Sequence, residues 1–195
     1  MKVLICIPTK AGGEYLDRAK TCQETWLKDC PCDFRFFIDS ETGYKSDHPM
    51  IRQKRMRWIC AYGLANGYNF VFRVDSDAYI KVAKLLATDF SQYDYSGWHN
   101  ARCFHAYAST GFFLSRNAMK LILAAEHQRQ GDTYWGDIWT GVVLHDLGIH
   151  CHVLPGFLDG AGRSDWRLDE LPEDWISVHP VSNETMRSIH DIHGI

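Results

Sequence analysis

Two aspartates, Asp75 and Asp77, follow an apolar run that begins at Phe70 and reads as a buried strand. Because side chains alternate between the two faces of an extended segment, both carboxylates point the same way at the end of this run. Like charges at this spacing repel each other, and a divalent cation would relieve the repulsion. Ligand sets made of oxygen favour a hard ion such as Mg²⁺ or Mn²⁺, which keeps coordination positions for water or substrate phosphate. The spacing therefore indicates a metal and diphosphate site, with an ordinary turn as the alternative.

The neighbourhood of this pair favours the metal site over the turn. Ligand sites in α/β proteins lie at the carboxyl ends of strands, which is the position that Asp75 and Asp77 occupy. A calcium loop of the EF-hand type is excluded, because its glycine and its distal glutamate are missing.

Composition limits the classes of partner. The chain has 195 residues, of which 46% are hydrophobic and 13% aromatic, so we expect an ordered globular protein with a substantial core. The net charge of −3 and the pI of about 6.3 give no reason to expect nucleic acid or an acidic membrane surface as a partner. A strand-like run from Val3 to Ile7 leaves no room for a signal peptide, and no apolar stretch reaches membrane-spanning length. The expectation is a cytoplasmic protein, as the chain is given, without a membrane-spanning segment.

The seven cysteines are an odd number, and most of them fall in apolar patterns that predict buried thiols. Three short clusters could instead bind zinc through thiolate and imidazole, although their spacings match no standard zinc module. These clusters are Cys30-Pro31-Cys32, Cys103-Phe104-His105 and His150-Cys151-His152.

Strand-like and helix-like patterns alternate along the chain. The first strand is followed by a helix over 14–28, a second strand over 34–38 and a helix over 51–65. The strand that carries the aspartates comes next, and a later helix is expected from its cap at Ser115 to residue 130. This order predicts an α/β fold with a central sheet covered by helices.

Four patterns, including the aspartate motif, occur in order between residues 17 and 149, and together they resemble the motifs of the β1,3-glycosyltransferases of family 31. The first combines an arginine with a Thr-Trp pair in a helix, the second is the aspartate motif, the third is a glycine segment that ends in serine, and the fourth opens a later helix. They are Asp17-Arg18 with Glu24-Thr25-Trp26, Asp75-Ser76-Asp77-Ala78-Tyr79-Ile80, Tyr107-Ala108-Ser109-Thr110-Gly111-Phe112-Phe113-Leu114-Ser115, and Gly136-Asp137-Ile138-Trp139-Thr140-Gly141 continuing to Leu147-Gly148-Ile149.

A fifth segment, which contains His179-Pro180, is similar to the late histidine motif of fringe-type and core 1 galactosyltransferase relatives. The chain also departs from the family pattern at three positions. Ser76 replaces the middle aspartate, Gly136 replaces the acid before the catalytic aspartate, and Gln23 replaces a second arginine. Donor or acceptor specificity could differ accordingly.

The resemblance implies a GT-A (Rossmann-like) fold, a three-layer α/β sandwich whose central sheet is mixed and mostly parallel. It also implies an inverting transferase that uses a nucleotide-sugar donor of the UDP-sugar class, with Mn²⁺ or Mg²⁺, and a glycan or another hydroxyl acceptor. We expect one domain over 1–195, with a nucleotide-binding part over about 1–85 and an acceptor part over about 86–195. The chain lacks the anchor and stem of animal members, so a viral or microbial relative is expected.

The resemblance implies different roles for the residues of the metal site. Asp77 is expected to bind the metal directly, Asp75 to bind the ribose or the metal through water, and His179 to be a further ligand. Ser76, between the aspartates, is assigned to the donor site. The alternative for His179 is a cap or loop position before a proline.

Inversion requires a base that takes the proton of the acceptor hydroxyl, and Asp137 is the candidate that the resemblance favours. Its alternative role is a helix N-cap, for which aspartate is well suited. Asp132 is the reserve base.

The donor and acceptor sites can also be assigned. Thr9 follows the first strand and Asp39 ends the second, where either could bind the base or ribose, while Arg18 and Arg73 could bind phosphate. Their alternative is an ordinary solvated or paired surface position. One of three tryptophans, Trp98, Trp135 and Trp139, is expected in the acceptor cleft, although a tryptophan usually belongs to a core.

Two other function classes remain open. A non-catalytic nucleotide-sugar or glycan-binding module of the same fold would account for Ser76 and Gly136. A zinc protein would account for the cysteine and histidine clusters.

Overall fold

The computed structural model describes residues 1–42, 50–99, 104–125, 136–160 and 162–193. The strands are β1 (Val3–Thr9), β2 (Asp33–Ile38), β3 (Phe70–Arg73), β4 (Tyr79–Ile80), β5 (Tyr95–Gly97), β6 (Phe112–Ser115), β7 (His152–Val153), β8 (Phe157–Asp159) and β9 (Ser177–His179). The α-helices are α1 (Glu14–Glu24), α2 (Ile51–Ala65), α3 (Val82–Leu86), α4 (Arg116–Ala124), α5 (Gly136–Asp146) and α6 (Asn183–His193).

The larger sheet has the strand order β2-β1-β3-β6-β5-β7. Strand β1 pairs in parallel with β2 and β3, whereas β6 runs antiparallel to its neighbours β3 and β5. Strand β7 is parallel to β5. The sheet is therefore mixed and mostly parallel, as expected.

Alternating side chains give this sheet two hydrophobic faces. In β1, Val3, Ile5 and Ile7 belong to one core cluster, while Leu4 and Cys6 belong to the other. The first cluster also contains buried residues of α1 and α6, and the second contains buried residues of α2, α4 and α5. Since both faces of the central strands are covered, these strands read as continuous apolar runs. The expected three-layer arrangement is confirmed.

Helix α1 is shorter than the predicted helix over 14–28. The backbone leaves the helical region at Thr25, with φ −115° and ψ −109°, and the N–H of Leu27 then donates to the carbonyl oxygen of Cys22 at 3.0 Å. Trp26 and Leu27 remain buried after this turn. The apolar spacing thus continues beyond the helix, because the following turns bury the same side of the chain.

Two other helix limits follow the sequence pattern. Gly67, with φ +75°, follows α2 in the left-handed region that favours glycine. The hydroxyl of Ser115 accepts a hydrogen bond from the Ala118 N–H at 3.1 Å and so caps α4. The helix has its last residue at Ala124. Residues 126–130 of the predicted helix lie outside the described residues.

The smaller sheet has the order β4-β9-β8 and lies beside the aspartate segment. The chain passes from β3 through Asp75 and Asp77 into β4, which pairs with β9. Strand β9 also pairs in parallel with β8, with Asp159 opposite His179 in the register. This sheet therefore brings a carboxylate and an imidazole to the end of the aspartate motif. Within the described residues, no helix combines the length and apolar character needed to cross a membrane.

Candidate functional site

A cavity of about 340 Å³ opens at the carboxyl ends of β1 and β3. Its walls come from the end of β1, the first half of α1, the first half of α2, the segment after β3 and the start of α5. Seven of the residues singled out in the sequence line it: Thr9, Arg18, Arg73, Asp75, Ser76, Asp77 and Asp137. Residues that are 128 positions apart, Thr9 and Asp137, thus share one site.

Sequence reasoning missed several cavity residues. Lys10, Tyr15 and Arg55 line the cavity and carried no motif signal, and Arg52 lines it as well. The ammonium of Lys10 lies 4.8 Å from the centre of the Tyr15 ring, in cation–π range. With Arg18 and Arg73, the walls carry more cationic than acidic side chains, a balance that suits a polyanion.

Asp75 is held by Arg73, the last residue of β3. The Nη2 atom of Arg73 lies 2.8 Å from Oδ1 of Asp75, and the arginine is 9% exposed. Its Nη1 atom is buried and has no hydrogen-bond partner in the described part of the chain. A buried guanidinium nitrogen without an acceptor is costly, and a phosphate oxygen would satisfy it.

Asp77 lies between two cationic groups. Its Oδ2 atom is 3.5 Å from Nη1 of Arg18, and its Oδ1 atom is 3.5 Å from Nε2 of His179. Burial works against the charged carboxylate, but the hydrogen bond from His179 and the charges of His179 and Arg18 outweigh it and lower the pKa of Asp77. Asp77 is therefore an anion at neutral pH.

His179 is fixed by a second carboxylate. Oδ1 of Asp159 lies 3.1 Å from Nδ1 of His179, and the Asp159 side chain is 11% exposed. Burial lowers the pKa of His179, but its hydrogen bonds to Asp159 and Asp77 outweigh this effect and raise the pKa to about 9. Asp159 was not predicted, since the short strand Phe157–Asp159 gave no signal of its own.

Ala108 connects the aspartate motif to the start of α5. Its carbonyl oxygen accepts a hydrogen bond from the Asp75 N–H at 3.2 Å, and its own N–H donates to Oδ2 of Asp137 at 3.1 Å. The other carboxylate oxygen of Asp137 accepts from the Ile138 N–H at 2.9 Å. Asp137 is the second residue of α5, so it does not have the N-cap position that was its alternative role. Its carboxylate binds the amides of Ala108 and Ile138 and lines the cavity.

Close packing against α5 fixes the position of the residues just before Ala108. A Cβ atom at Gly141 would lie 2.2 Å from Cβ of His105 and 2.9 Å from its Cα, so α5 approaches the segment more closely than any larger residue allows. The N–H of Ala106 donates to the buried hydroxyl of Tyr95 at 2.6 Å. These contacts hold the residues before Ala108 against α5 and β5.

Asp39 lies behind the cavity wall and is not among the lining residues. Arg55 holds it, with Nε 2.8 Å from Oδ1 and Nη2 in contact with the same oxygen, and the Asp39 side chain is 3% exposed. In this structure Arg55 lines the cavity where we expected Asp39 to do so. The carboxylate positions that arginine.

Two of the three departures from the family pattern have local structural reasons. Ser76 is 4% exposed, and its carbonyl oxygen accepts a hydrogen bond from the Cys22 thiol at 3.3 Å, so a third carboxylate here would be desolvated. A Cβ atom at Gly136 would lie 3.1 Å from the carbonyl oxygen of Arg52. Glycine therefore allows α5 to begin against α2.

The remaining sequence candidates divide between packing and undescribed positions. Trp139 is half-buried against the core cluster on the α2 side, whereas half-buried Trp98 stands edge-on to Tyr107 at 5.3 Å. His152 stacks on Tyr93 at 3.5 Å, which is a packing role. Cys103, Asp132 and Trp135 lie outside the described residues.

Asp77 and His179 could act together as protein ligands of a divalent cation, although the three expected ligands do not form one group. Among the described residues, no group of three or more His, Cys, Asp or Glu side chains is arranged to hold a metal ion. The reason is that Arg73 binds Asp75, while Asp77 faces His179. The donor set of one carboxylate and one imidazole would leave the other coordination positions to water and phosphate, as Mg²⁺ and similar ions commonly use them. The role of Asp75 remains a prediction.

The architecture resembles solved glycosyltransferases at low sequence identity. A glycosyltransferase involved in the glycosylation of the major capsid of PBCV-1 is 12% identical, with 98% of this chain and 100% of that chain covered and a TM-score of 0.56. The catalytic domain of Drosophila beta1,4-galactosyltransferase 7, in complex with xylobiose, is 13% identical, with 95% and 79% covered and a TM-score of 0.51. The sequence matches no protein-family model and has no significant match among curated proteins. The likeness confirms the GT-A fold class and does not extend to family 31.

Proposed function

We propose that the protein is a metal-dependent glycosyltransferase that moves a sugar from a nucleotide-sugar donor, a UDP-sugar, to a hydroxyl of a glycan with inversion. One observation carries the proposal. Ala108 binds the backbone of Asp75 with its carbonyl group and the carboxylate of Asp137 with its N–H, so the acidic motif and the candidate base share one cavity. The β1,3-type chemistry of family 31, implied by the sequence motifs, belongs to the same proposal.

The cationic wall suits the donor diphosphate. Arg73 offers a buried nitrogen without an acceptor, and Arg18 stands beside Asp77 at the same wall. A guanidinium binds phosphate oxygens through paired N–H groups, which orients the donor as well as attracting it. Thr9 at the end of β1 and Arg55 beside Asp39 both line the cavity, and they would contact the nucleoside end of the donor.

Asp77 and His179 would hold the divalent ion. When bound, the ion would neutralise the charge that develops on the departing nucleoside diphosphate. Asp159 fixes Nδ1 of His179, so Nε2 is the atom directed to Asp77 and to the metal position. Because the pKa of His179 is raised to about 9, Nε2 must release its proton before it can be a ligand.

Asp137 would receive the proton of the attacking hydroxyl. Two backbone N–H groups, of Ala108 and Ile138, hold its carboxylate at the cavity wall. A fixed carboxylate suits a single displacement, in which the acceptor oxygen attacks the anomeric carbon as the diphosphate leaves from the opposite side.

The acceptor and source are proposed from the neighbours. One neighbour is involved in the glycosylation of the major capsid of PBCV-1, and another is a galactosyltransferase in complex with xylobiose. Both support a glycan or glycoconjugate acceptor, and the first supports a viral or microbial source.

A thermal-shift series with UDP-sugars and Mn²⁺ tests the proposal. A ligand at about 100 times its Kd stabilises the folded protein by about 2.7 kcal/mol, so a donor with Mn²⁺ should raise the Tm by several degrees. Asp77→Asn should lose the metal-dependent part of this shift. The control Asp191→Asn removes an exposed carboxylate of α6 and should retain it.

Product detection then separates the functions. Sugar transfer or donor hydrolysis in the samples that bind a UDP-sugar would support the enzyme. Donor binding without turnover, tested with a set of glycan acceptors, would favour the non-catalytic module. Stoichiometric zinc in protein purified without added metal would favour the zinc protein. No stabilisation by any nucleotide-sugar in the presence of Mn²⁺ would contradict the proposal.

A further inference from the structure

Cys30 and Cys32 form a close pair of thiols in the connection between α1 and β2, away from the candidate site. Their Sγ atoms are 3.6 Å apart, and Pro31 separates them in the sequence. Both are half-buried at the edge of a core cluster, so solvent reaches them. By contrast, the described cysteines Cys6, Cys22 and Cys60 are buried.

The two sulfurs differ in their protonation. The hydrogen bond between the two sulfurs outweighs partial burial and lowers the pKa of Cys30 to about 7. The same hydrogen bond, together with burial, raises the pKa of Cys32. Burial raises the pKa of Cys151, which is also half-buried, to about 12. Near neutral pH, Cys30 is thus the described cysteine best suited to act as a nucleophile.

Packing alone does not account for this arrangement. A cysteine that only fills space behaves as a small hydrophobe, as Cys22 and Cys60 do in the two core clusters. Cys30 and Cys32 instead contact each other through their reactive atoms at a solvent-accessible edge. A thiophilic metal site would require further ligands, and the described residues supply no group of three.

We propose that Cys30 and Cys32 form a reversible dithiol–disulfide site that reacts with small-molecule disulfides of the glutathione type. The Cys30 thiolate attacks one sulfur of the reagent, the reagent's S–S bond breaks, and one reagent thiolate leaves and takes up a proton. The Cys32 thiol then loses its proton and attacks the Cys30 sulfur of the mixed disulfide, which releases the second reagent thiol. The protein loses two protons and two electrons, and the reagent disulfide takes them up and becomes two thiols.

The geometry favours the second step. A disulfide has an S–S bond of about 2.05 Å, so the two sulfurs need to approach by only about 1.5 Å. This movement is within reach of side-chain rotation, because both cysteines flank a turn outside the hydrogen-bonded strands. Because solvent reaches the pair, an excess of external thiol can also reach the disulfide and reduce it, so the reaction is reversible.

The test exposes the full protein, fully reduced, to mixtures of reduced and oxidised glutathione, followed by alkylation and peptide mass spectrometry. We expect the peptide with both residues to lose two hydrogens as the mixture becomes oxidising, and to regain them on return to reduced glutathione. Cys151 serves as the internal control and should remain a thiol. Near-ultraviolet circular dichroism of the same samples verifies that the protein stays folded.

Two variants separate the roles of the pair. Cys32→Ser removes the resolving thiol, so a mixed disulfide with glutathione should accumulate on Cys30. Cys30→Ser removes the partner sulfur, so the remaining Cys32 should form no intramolecular disulfide and should carry glutathione only as a mixed disulfide. The proposal is overturned if the folded wild-type protein forms no intramolecular disulfide, if Cys30 reacts no faster than Cys151, or if the mixed disulfide on Cys30 accumulates in the wild-type protein as much as in Cys32→Ser.

Discussion

Oδ1 of Asp159 lies 3.1 Å from Nδ1 of His179, at the ends of two parallel strands in which these residues are register partners. The opposite ring nitrogen, Nε2, faces Asp77 at 3.5 Å. A carboxylate on one nitrogen of an imidazole fixes its orientation and increases the basicity of the other nitrogen. Asp159 is therefore a positioning residue for the proposed metal ligand.

Replacing Asp159 by asparagine should weaken Mn²⁺ binding by about 10- to 100-fold, because the Asp159 carboxylate orients the His179 ring. Titration calorimetry of the protein with Mn²⁺ alone measures the change, and the ¹⁵N chemical shifts of His179 report its tautomer. Asp169→Asn is the matched control, since Asp169 is exposed and paired with Arg167. Unchanged affinity and an unchanged tautomer in Asp159→Asn would refute the positioning role.

The two aspartates of the motif should respond unequally to substitution. Asp77→Asn should abolish measurable Mn²⁺ binding, because this carboxylate faces His179 at the proposed metal position. Asp75→Asn should weaken Mn²⁺ binding much less, since Arg73 holds Asp75 at 2.8 Å. Electron paramagnetic resonance of free Mn²⁺ compares the two variants. An equal loss in both would show that the two carboxylates bind the metal together.

Asp137→Asn should reduce kcat by about 10²- to 10⁴-fold while the affinity for the donor is kept. The amide retains the shape and can still accept the N–H of Ala108, but it cannot take a proton from the acceptor. Single-turnover rates and donor affinity by calorimetry measure the two effects. Full activity in this variant would remove Asp137 as the base, whereas Asp191→Asn should leave both quantities unchanged.

Gly141→Ala should lower the free energy of unfolding by about 1–3 kcal/mol, the usual range for overpacking. Alanine favours a helix over glycine by about 1 kcal/mol, but its Cβ would lie 2.2 Å from Cβ of His105, which is too close to relieve without backbone movement. Urea unfolding measures the loss. Gly148→Ala is not a suitable control because of its φ of +78°. Asp191→Asn, which changes an exposed side chain of α6, provides the comparison for a surface substitution. If Gly141→Ala is as stable as the wild-type protein or more stable, the backbone around His105 can move without loss of stability and the prediction is wrong.

Asp165 should contribute to the free energy of unfolding at neutral pH and lose this contribution at acidic pH. Partial burial raises its pKa, but hydrogen bonds from Ser182, Thr185 and Trp166 outweigh that effect and lower the pKa below the ordinary value. Because the folded-state pKa is the lower one, its contribution is complete above the unfolded pKa of about 3.9 and is lost as the pH falls through the folded pKa. Asp165→Asn should therefore destabilise the protein at about pH 6 and approach wild-type stability towards about pH 3. Urea unfolding across this range checks the sign, and a difference that does not shrink in acid would contradict it.

Part of the site could be predicted because it depends on local patterns. The alternation from Phe70 to Arg73 places Asp75 and Asp77 after a buried strand, and Ser115 marks a helix start by its own hydroxyl. The placement of Thr9, Arg18 and Arg73 around one cavity follows from the rule that strand ends meet at one edge of a sheet. These relations require no knowledge of long-range packing.

The sequence alone determined the α/β order, the acidic motif and the residue types of the candidate site, because periodicity and strand ends are local properties of the chain. Only the tertiary structure decided that Arg73 takes Asp75, that Arg55 stands in front of Asp39, and that Asp159 meets His179. It also decided that α1 ends at Glu24 while Trp26 and Leu27 remain buried. In each case the sequence contains several possible partners of suitable charge or apolarity. Which of them is in contact depends on the packing of segments that lie far apart in the sequence.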